Sequence, residues 1–459
     1  MHVFFIFLWM LLPLTAEAAN LTGEAENLTG ETKSLTPQTT KLHYANFNNG
    51  VRLVVEEDHA SPVAMVQIWL KVGGRDELPG KTGLAHVFEH MMFKGSKAML
   101  AGEYSKAIAA MGGNDNAFTS TDYTAYFETV PAAQVSKVID MEAERFAHLR
   151  LDADEFNREI RVIMEERRMR TEDNPNSHMF EELSAAALRL HPYRNPVIGW
   201  MQDLKRLTID DVRDFYQLHY VAGNVTVVVV GDVDFLAVKE RVANTFGTME
   251  KRTVAPRFNP QEPTPLGAKR VNVHLPAKLP ILAMVIPVPV WKPGSNDRTV
   301  AALAVATYAL AGGRSALMQQ QLIDQQRIAF SVDAGYDPFG MGLDLWYAYG
   351  ALRSGADVPA FEQAMWALIQ TLADKPLDEA RLHAAKRNMV ASDVFARDSL
   401  YLRAKRIGRL ETVGIGADHF DAWLEAVRQV TAKDVQKVVA DYLQPQYSTT
   451  GILHAEAMK

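Results

Sequence analysis

The chain has 459 residues, 48% hydrophobic and 22% charged, an ordinary globular composition with core enough for about two to four domains. Its formal net charge of −7 supplies no basic field for nucleic acid. It has no cysteine, so disulfides, thiolate metal ligands and a lipid-anchored cysteine are excluded, and any metal must be held by histidine and carboxylate.

In chain order, residues 3–14 form an apolar run too short for an ordinary spanning helix, followed by the small-x-small triplet Ala16-Glu17-Ala18. The pattern predicts a signal peptide over 1–19, cut after Ala18 or Ala19, and a periplasmic or secreted protein. Residues 20–40 carry a weak seven-residue repeat with one leucine per repeat and glycine or proline nearby. That cannot hold a coiled coil and reads as a flexible leader.

Strand-like runs cover 51–55 and 63–70, and a Gly73-Gly74 turn follows. The stretch Gly83-Leu84-Ala85-His86-Val87-Phe88-Glu89-His90 reads as a helix, and 99–111 as another, ended by Gly112-Gly113. Residues 116–129, rich in threonine and aromatics, predict one or two strands. Helices are expected at 135–149, 154–169, 180–190 and 208–220, and a buried strand at 225–230. These make a first domain over 41–250.

Residues 251–267 are proline-rich and aperiodic, the best linker in the chain. A second domain over 268–459 follows, with strands at 270–275, 281–287, 330–335 and 343–351 and helices at 299–310 and 316–326. Its ending Val430-Thr431-Ala432-Lys433-Asp434-Val435 echoes Leu207-Thr208-Ile209-Asp210-Asp211-Val212, which predicts an internal duplication.

The chemistry concentrates in H-x-x-E-H, His86 to His90. One helical turn separates the imidazoles, which stacks them about 5–6 Å apart at Cβ, close enough to share a metal ion. Glu89 sits beside the same position. Two histidines at this spacing also decorate ordinary helices, so a third ligand decides. In the helix at 154–169, Phe156, Ile160 and Ile163 mark an inward stripe, and Glu159 and Glu166 fall along it. Glu165 falls instead with Arg158, Arg161 and Arg168. An inward carboxylate needs a metal or a paired cation; interior arginines would satisfy the second alternative.

H-x-x-E-H followed by a helix reading Glu-x-x-x-x-x-x-Glu resembles the inverzincins, the family of pitrilysin, insulinase and the mitochondrial processing peptidase. Further landmarks stand in order: Asn49-Gly50-Val51, Val72-Gly73-Gly74-Arg75-Asp76-Glu77, Gly112-Gly113, Asn116-Ala117-Phe118-Thr119, His191-Pro192-Tyr193 and Val230-Gly231-Asp232. The resemblance implies one Zn²⁺ per chain, held by His86, His90 and Glu166, with Glu89 as general base and Glu159 as a supporting catalytic carboxylate. It implies an α+β fold of two similar domains, each a mainly antiparallel sheet packed with helices, enclosing a chamber. The strand with Asn116, Ala117 and Phe118 would be a sheet edge that binds peptide main chain. The activity implied is zinc endopeptidase, acting on short or unfolded peptides.

One family feature is missing. Many members carry an arginine and, seven residues later, a tyrosine in the C-terminal half, which hold the substrate. Here those positions are Ile323 and Phe330. Either Arg327 or Tyr336 substitutes from a shifted register, or a related zinc-free subunit supplies the pair in a heterodimer, which is the favoured expectation. Arg314, in a glycine-containing loop, reads as structural. The competing reading is a non-catalytic assembly or peptide-binding scaffold.

Overall fold

Two sheets organise the chain in a computed structural model that describes residues 41–294 and 298–456. The expected signal peptide and leader lie outside the described residues. The first sheet contains β1 (Leu42–Asn46), β2 (Arg52–Glu57), β3 (Val63–Leu70), β4 (Asn114–Thr119), β5 (Thr124–Pro131) and β6 (Val225–Gly231), in the order β1-β2-β6-β3-β5-β4. The second contains β7 (Lys269–Pro276), β8 (Ile281–Pro289), β9 (Ala329–Gly335), β10 (Leu343–Leu352) and β11 (Thr449–Glu456), in the order β7-β11-β8-β10-β9.

Without β1 the two orders coincide strand for strand. Each sheet has one parallel pair, β2 with β6 and β7 with β11, among otherwise antiparallel neighbours. The echo seen in sequence has a structural cause. Thr208 and Thr431 each cap a helix (Ile209–His219 and Ala432–Tyr442), and Asp211 and Asp434 complete a capping box in each. Each helix then leads back into an interior strand of its sheet, β6 and β11. The fold is α+β with two similar halves, as the resemblance implied.

The helices of the first half include α1 (Leu84–Met91), α2 (Glu103–Ala110), α3 (Val135–Ala147), α4 (Ala153–Arg167) and α5 (Pro175–Ala187). Strand β3 is buried on both faces because both are covered. Val66, Ile68 and Leu70 pack with Val87, Phe88, Ile139 and Ile163 of α1, α3 and α4. Met65 and Trp69 face the other way and share a cluster with Ala404 and Ile407, from a helix (Leu400–Thr412) of the second half. The exchange is reciprocal. Met179 and Leu183 of α5 bury against Ile281, Ala283 and Leu453 of the second sheet, and Gly451 on β11 leaves no side chain between them, since a Cβ there would fall 2.9 Å from Met179 Sδ. Each half thus covers a sheet face of the other with one helix. Arg403 fastens the junction, with Nη1 3.0 Å from Glu56 Oε1 and a second contact to Asp58.

Two predicted helices differ. The one expected at 180–190 begins at Pro175, where Asn174 accepts from the Asn176 and Ser177 amides and Pro175 fills the first turn. At 316–326 the main element is a π-helical segment, Gln319–Gln325. Residues 250–265 carry no regular element, but they do not hang free: Glu262 accepts from the Arg189, Leu190 and His191 amides at 2.6, 2.9 and 2.8 Å.

Candidate metal centre

Helix α1 is fixed at its start by Glu77, whose oxygens accept from the Gly83 and Ala85 amides at 2.8 and 2.7 Å. Gly83 has φ +89, and a Cβ there would meet the Ile198 carbonyl oxygen at 2.8 Å, so glycine is needed. His86 and Glu89 are buried on this helix. Helix α4 is capped by Asp152, which accepts from the Asp154 and Glu155 amides at 2.9 and 3.0 Å. Its inward stripe is Phe156, Glu159, Ile160, Ile163 and Glu166, while Glu165 is exposed and pairs with Arg168 at 2.6 Å.

The two helices bring His86, His90 and Glu166 together, with one ligand atom from each lying within 4.8 Å of the others. Glu166 Oε2 is 3.6 Å from His90 Nε2 and 3.9 Å from His86 Nε2. Donors about 2.0–2.2 Å from a tetrahedral zinc ion stand about 3.4 Å from one another, so these separations suit such an ion with little adjustment. His90 Nδ1 donates to Glu159 Oε1 at 2.8 Å, which leaves Nε2 with its lone pair toward Glu166. That Nε2 is buried without a hydrogen-bond partner. An orphaned buried imidazole nitrogen facing a carboxylate oxygen is costly by itself and is satisfied by a cation between them. The residues fit zinc.

Burial, followed by the positive charge of His90 and Arg170, holds the His86 imidazole well below its ordinary pKa, in the neutral form that ligates. Burial would also lower His90, but its hydrogen bond to Glu159 and the charges of Glu89 and Glu166 outweigh it and raise the group. The same carboxylates favour any cation at that nitrogen. Burial pushes Glu89 up to about 7, against the pull of His90 and a 2.5 Å hydrogen bond donated by Thr119 Oγ1. Glu89 is not in the ligand cluster. It is a carboxylate poised near neutrality beside it.

Strand β4 is a sheet edge that pairs with β5. Ala117 and Thr119 turn toward α1, whereas Phe118 turns toward the other half, 5.5 Å from the Trp69 ring and 5.1 Å from Lys405 Nζ. Asn116 Oδ1 accepts from the Ala117 amide. In the second half, the Tyr336 hydroxyl donates to the Pro289 carbonyl, Phe330 is 68% exposed, and Ile323 packs against the core. Arg327 has φ +56, and Arg314 is exposed in the loop after the helix Thr299–Ala311.

Three contributors escape sequence reasoning. Thr119 reaches Glu89 only because β4 runs beside α1. Lys94 Nζ lies 2.5 Å from Glu159 Oε2, and Arg170 Nη1 lies 2.7 Å from Glu166 Oε1. The one available signal was spacing, since Arg170 follows Glu166 by one helical turn.

Residues 52–200 match the family profile "Insulinase (Peptidase family M16)", and residues 206–389 match "Peptidase M16 inactive domain". The chain is 31% identical over 418 residues to the zinc protease PqqE of Helicobacter pylori, covering 88% of this chain and 91% of that protein. It is 28% identical over 410 residues to an uncharacterized zinc protease of Mycobacterium bovis, covering 87% and 90%. Among solved structures, a protease from Helicobacter pylori superposes with a TM-score of 0.85 at 27% identity, over 90% of this chain and all of the other. The first half of the periplasmic protease PqqL from Escherichia coli has a TM-score of 0.75 at 18% identity, over 91% of this chain and 94% of that one, a likeness of fold.

Proposed function

The chain belongs to the insulinase family, peptidase family M16, and from that membership we propose that it is a zinc-dependent endopeptidase with one metal ion held by His86, His90 and Glu166. The observation that carries this is the convergence of those ligand atoms within 4.8 Å around an unpartnered, buried His90 Nε2. Bound zinc would polarise the scissile carbonyl and lower the pKa of the attacking water. Glu89, buried beside the ligand cluster and outside it, would serve as the base for the attacking water and as the acid for the leaving amine. Thr119, donating to Glu89 Oε2, aims the carboxylate. Glu159 fixes the His90 ring.

Peptide main chain adds to the free edge of β4 at Asn116, Ala117 and Phe118, which sets register without demanding a sequence. A chamber between the halves would favour short or unfolded peptides. In the second half, Ile323 and Phe330 are apolar and the Tyr336 hydroxyl is bonded to the Pro289 carbonyl, which favours another source for the tyrosine over a shifted register at Arg327 and Tyr336. A related zinc-free subunit carrying an arginine and a tyrosine fits that need. The chain would act in the periplasm or outside the cell, in keeping with the N-terminal run.

The test is Glu89→Gln. Elemental analysis should find about one zinc per chain in both proteins, and cleavage of a quenched peptide panel should fall about 10²–10⁴-fold in the variant. Normal cleavage by Glu89→Gln would overturn the mechanism. A wild-type chain free of zinc, with a stable partner, would favour the scaffold reading.

A further inference from the structure

We infer that Arg170 is a positioning residue that occupies one oxygen of Glu166 and so leaves that carboxylate a single oxygen for the metal; the inference rests on the metal-site reading above. Helix α4 ends at Arg167, and a π-helical turn, Arg168–Glu172, continues it. Within that turn the Asp173 amide donates to the Arg168 carbonyl at 2.7 Å, one residue wider than the α ladder. Such turns re-aim side chains and recur at functional sites. Here the turn carries Arg170, whose Nη1 stands 2.7 Å from Glu166 Oε1, an ion-pair contact that does not meet hydrogen-bond geometry. The other oxygen, Oε2, is the one that faces the His86 and His90 nitrogens at 3.9 and 3.6 Å.

Glu159, seven residues earlier on α4, divides its oxygens in the same way. Oε1 serves His90 Nδ1 at 2.8 Å, and Oε2 is held by Lys94 Nζ at 2.5 Å. Each carboxylate therefore has a cation on the oxygen turned away from the imidazoles. An exposed Glu–Arg pair at this spacing would stabilise little and mean little. This one is not exposed: the Glu166 side chain is 11% accessible and the Arg170 side chain 28%.

The chemical consequence concerns coordination number. A carboxylate with both oxygens free can close on a divalent ion through both, which fills a fifth position. With a guanidinium paired to Oε1, Glu166 would offer one oxygen, and two nitrogens plus one oxygen would leave one position of a four-coordinate site for water. Arg170 acts through Glu166 and touches no reacting atom.

The experiment uses the full chain as wild type, Arg170→Met and Arg170→Lys, with far-ultraviolet circular dichroism to establish folding. Zinc affinity is read by competition with a chromophoric chelator, and coordination number by the visible absorption of the cobalt(II)-loaded protein, which is strong for four ligands and weak for five. The expected result is a wild-type spectrum of four-coordinate type, a several-fold weaker band in Arg170→Met with zinc bound about 10–100-fold less tightly, and partial recovery in Arg170→Lys. Spectra and affinities equal to wild type in Arg170→Met would overturn the inference while leaving the metal site standing. A wild-type chain that binds neither zinc nor cobalt would overturn both.

Discussion

Gly408 lies directly against the indole of Trp69: a Cβ at Gly408 would fall 2.0 Å from Trp69 Nε1. The two residues belong to different halves, Trp69 on β3 and Gly408 in the helix Leu400–Thr412. Trp69 is fully buried and cannot swing away without breaking its 2.8 Å hydrogen bond to Gln67. A mid-helix glycine ordinarily weakens its helix by about 1 kcal/mol relative to alanine. Here the close approach is worth more than the propensity. Gly408→Ala is therefore expected to destabilise, by about 1–3 kcal/mol from overpacking. Chemical denaturation with tryptophan fluorescence checks this; a more stable Gly408→Ala would show that the junction is soft.

If His86, His90 and Glu166 hold zinc as proposed, its removal should destabilise the chain, because the ion would tie α1 to α4. At a free zinc concentration a hundredfold above Kd, the loss on chelation is about 2.7 kcal/mol. Thermal melts with and without chelator measure it. Glu166→Ala should abolish the chelator effect, and Glu165→Ala should keep it, since Glu165 is exposed and paired with Arg168.

Glu159 acts on His90 through a 2.8 Å hydrogen bond. Glu159→Gln should keep a metal-binding protein but weaken zinc by about 10–100-fold, read by chelator competition. Unchanged affinity would reduce Glu159 to a partner of Lys94.

If substrate adds to β4 as a strand, its main chain donates at alternate residues. A series of one cleavable peptide carrying a single N-methyl group at successive positions should then lose cleavage with a period of two. A flat profile would argue against binding at Asn116 to Phe118.

His191 gives a pH dependence remote from the metal. Burial, then the nearby Arg75 guanidinium, pull its pKa from 6.5 to about 4. The unfolded chain binds a proton at this residue between those values and the folded chain does not, so stability from His191 is present above about 6.5 and is lost as pH falls toward 4. His191→Asn keeps an acceptor for the Tyr193 amide and removes the titration. Its denaturation midpoint should depend less steeply on pH between 7 and 4 than that of the wild type. Equal slopes would assign the acid sensitivity elsewhere.

By itself the sequence determined what local periodicity can encode. His86, Glu89 and His90 share one helical turn, so their juxtaposition follows from helix geometry, and the apolar stripe of α4 selects Glu166 over Glu165. The echo between Leu207–Val212 and Val430–Val435 was legible for the same reason, while its cause, a capping box at Thr208 and at Thr431, came from the structure. Tertiary structure alone decided which surfaces meet. An amphipathic helix states that one face is buried but not against which sheet, so the exchange of α5 and the helix Leu400–Thr412 between halves could not be read from pattern. Likewise, Thr119 on Glu89 and Lys94 on Glu159 depend on strand placement and chain packing, and Arg170 on Glu166, though spaced by one helical turn, depends on a π-helical turn that pattern did not predict.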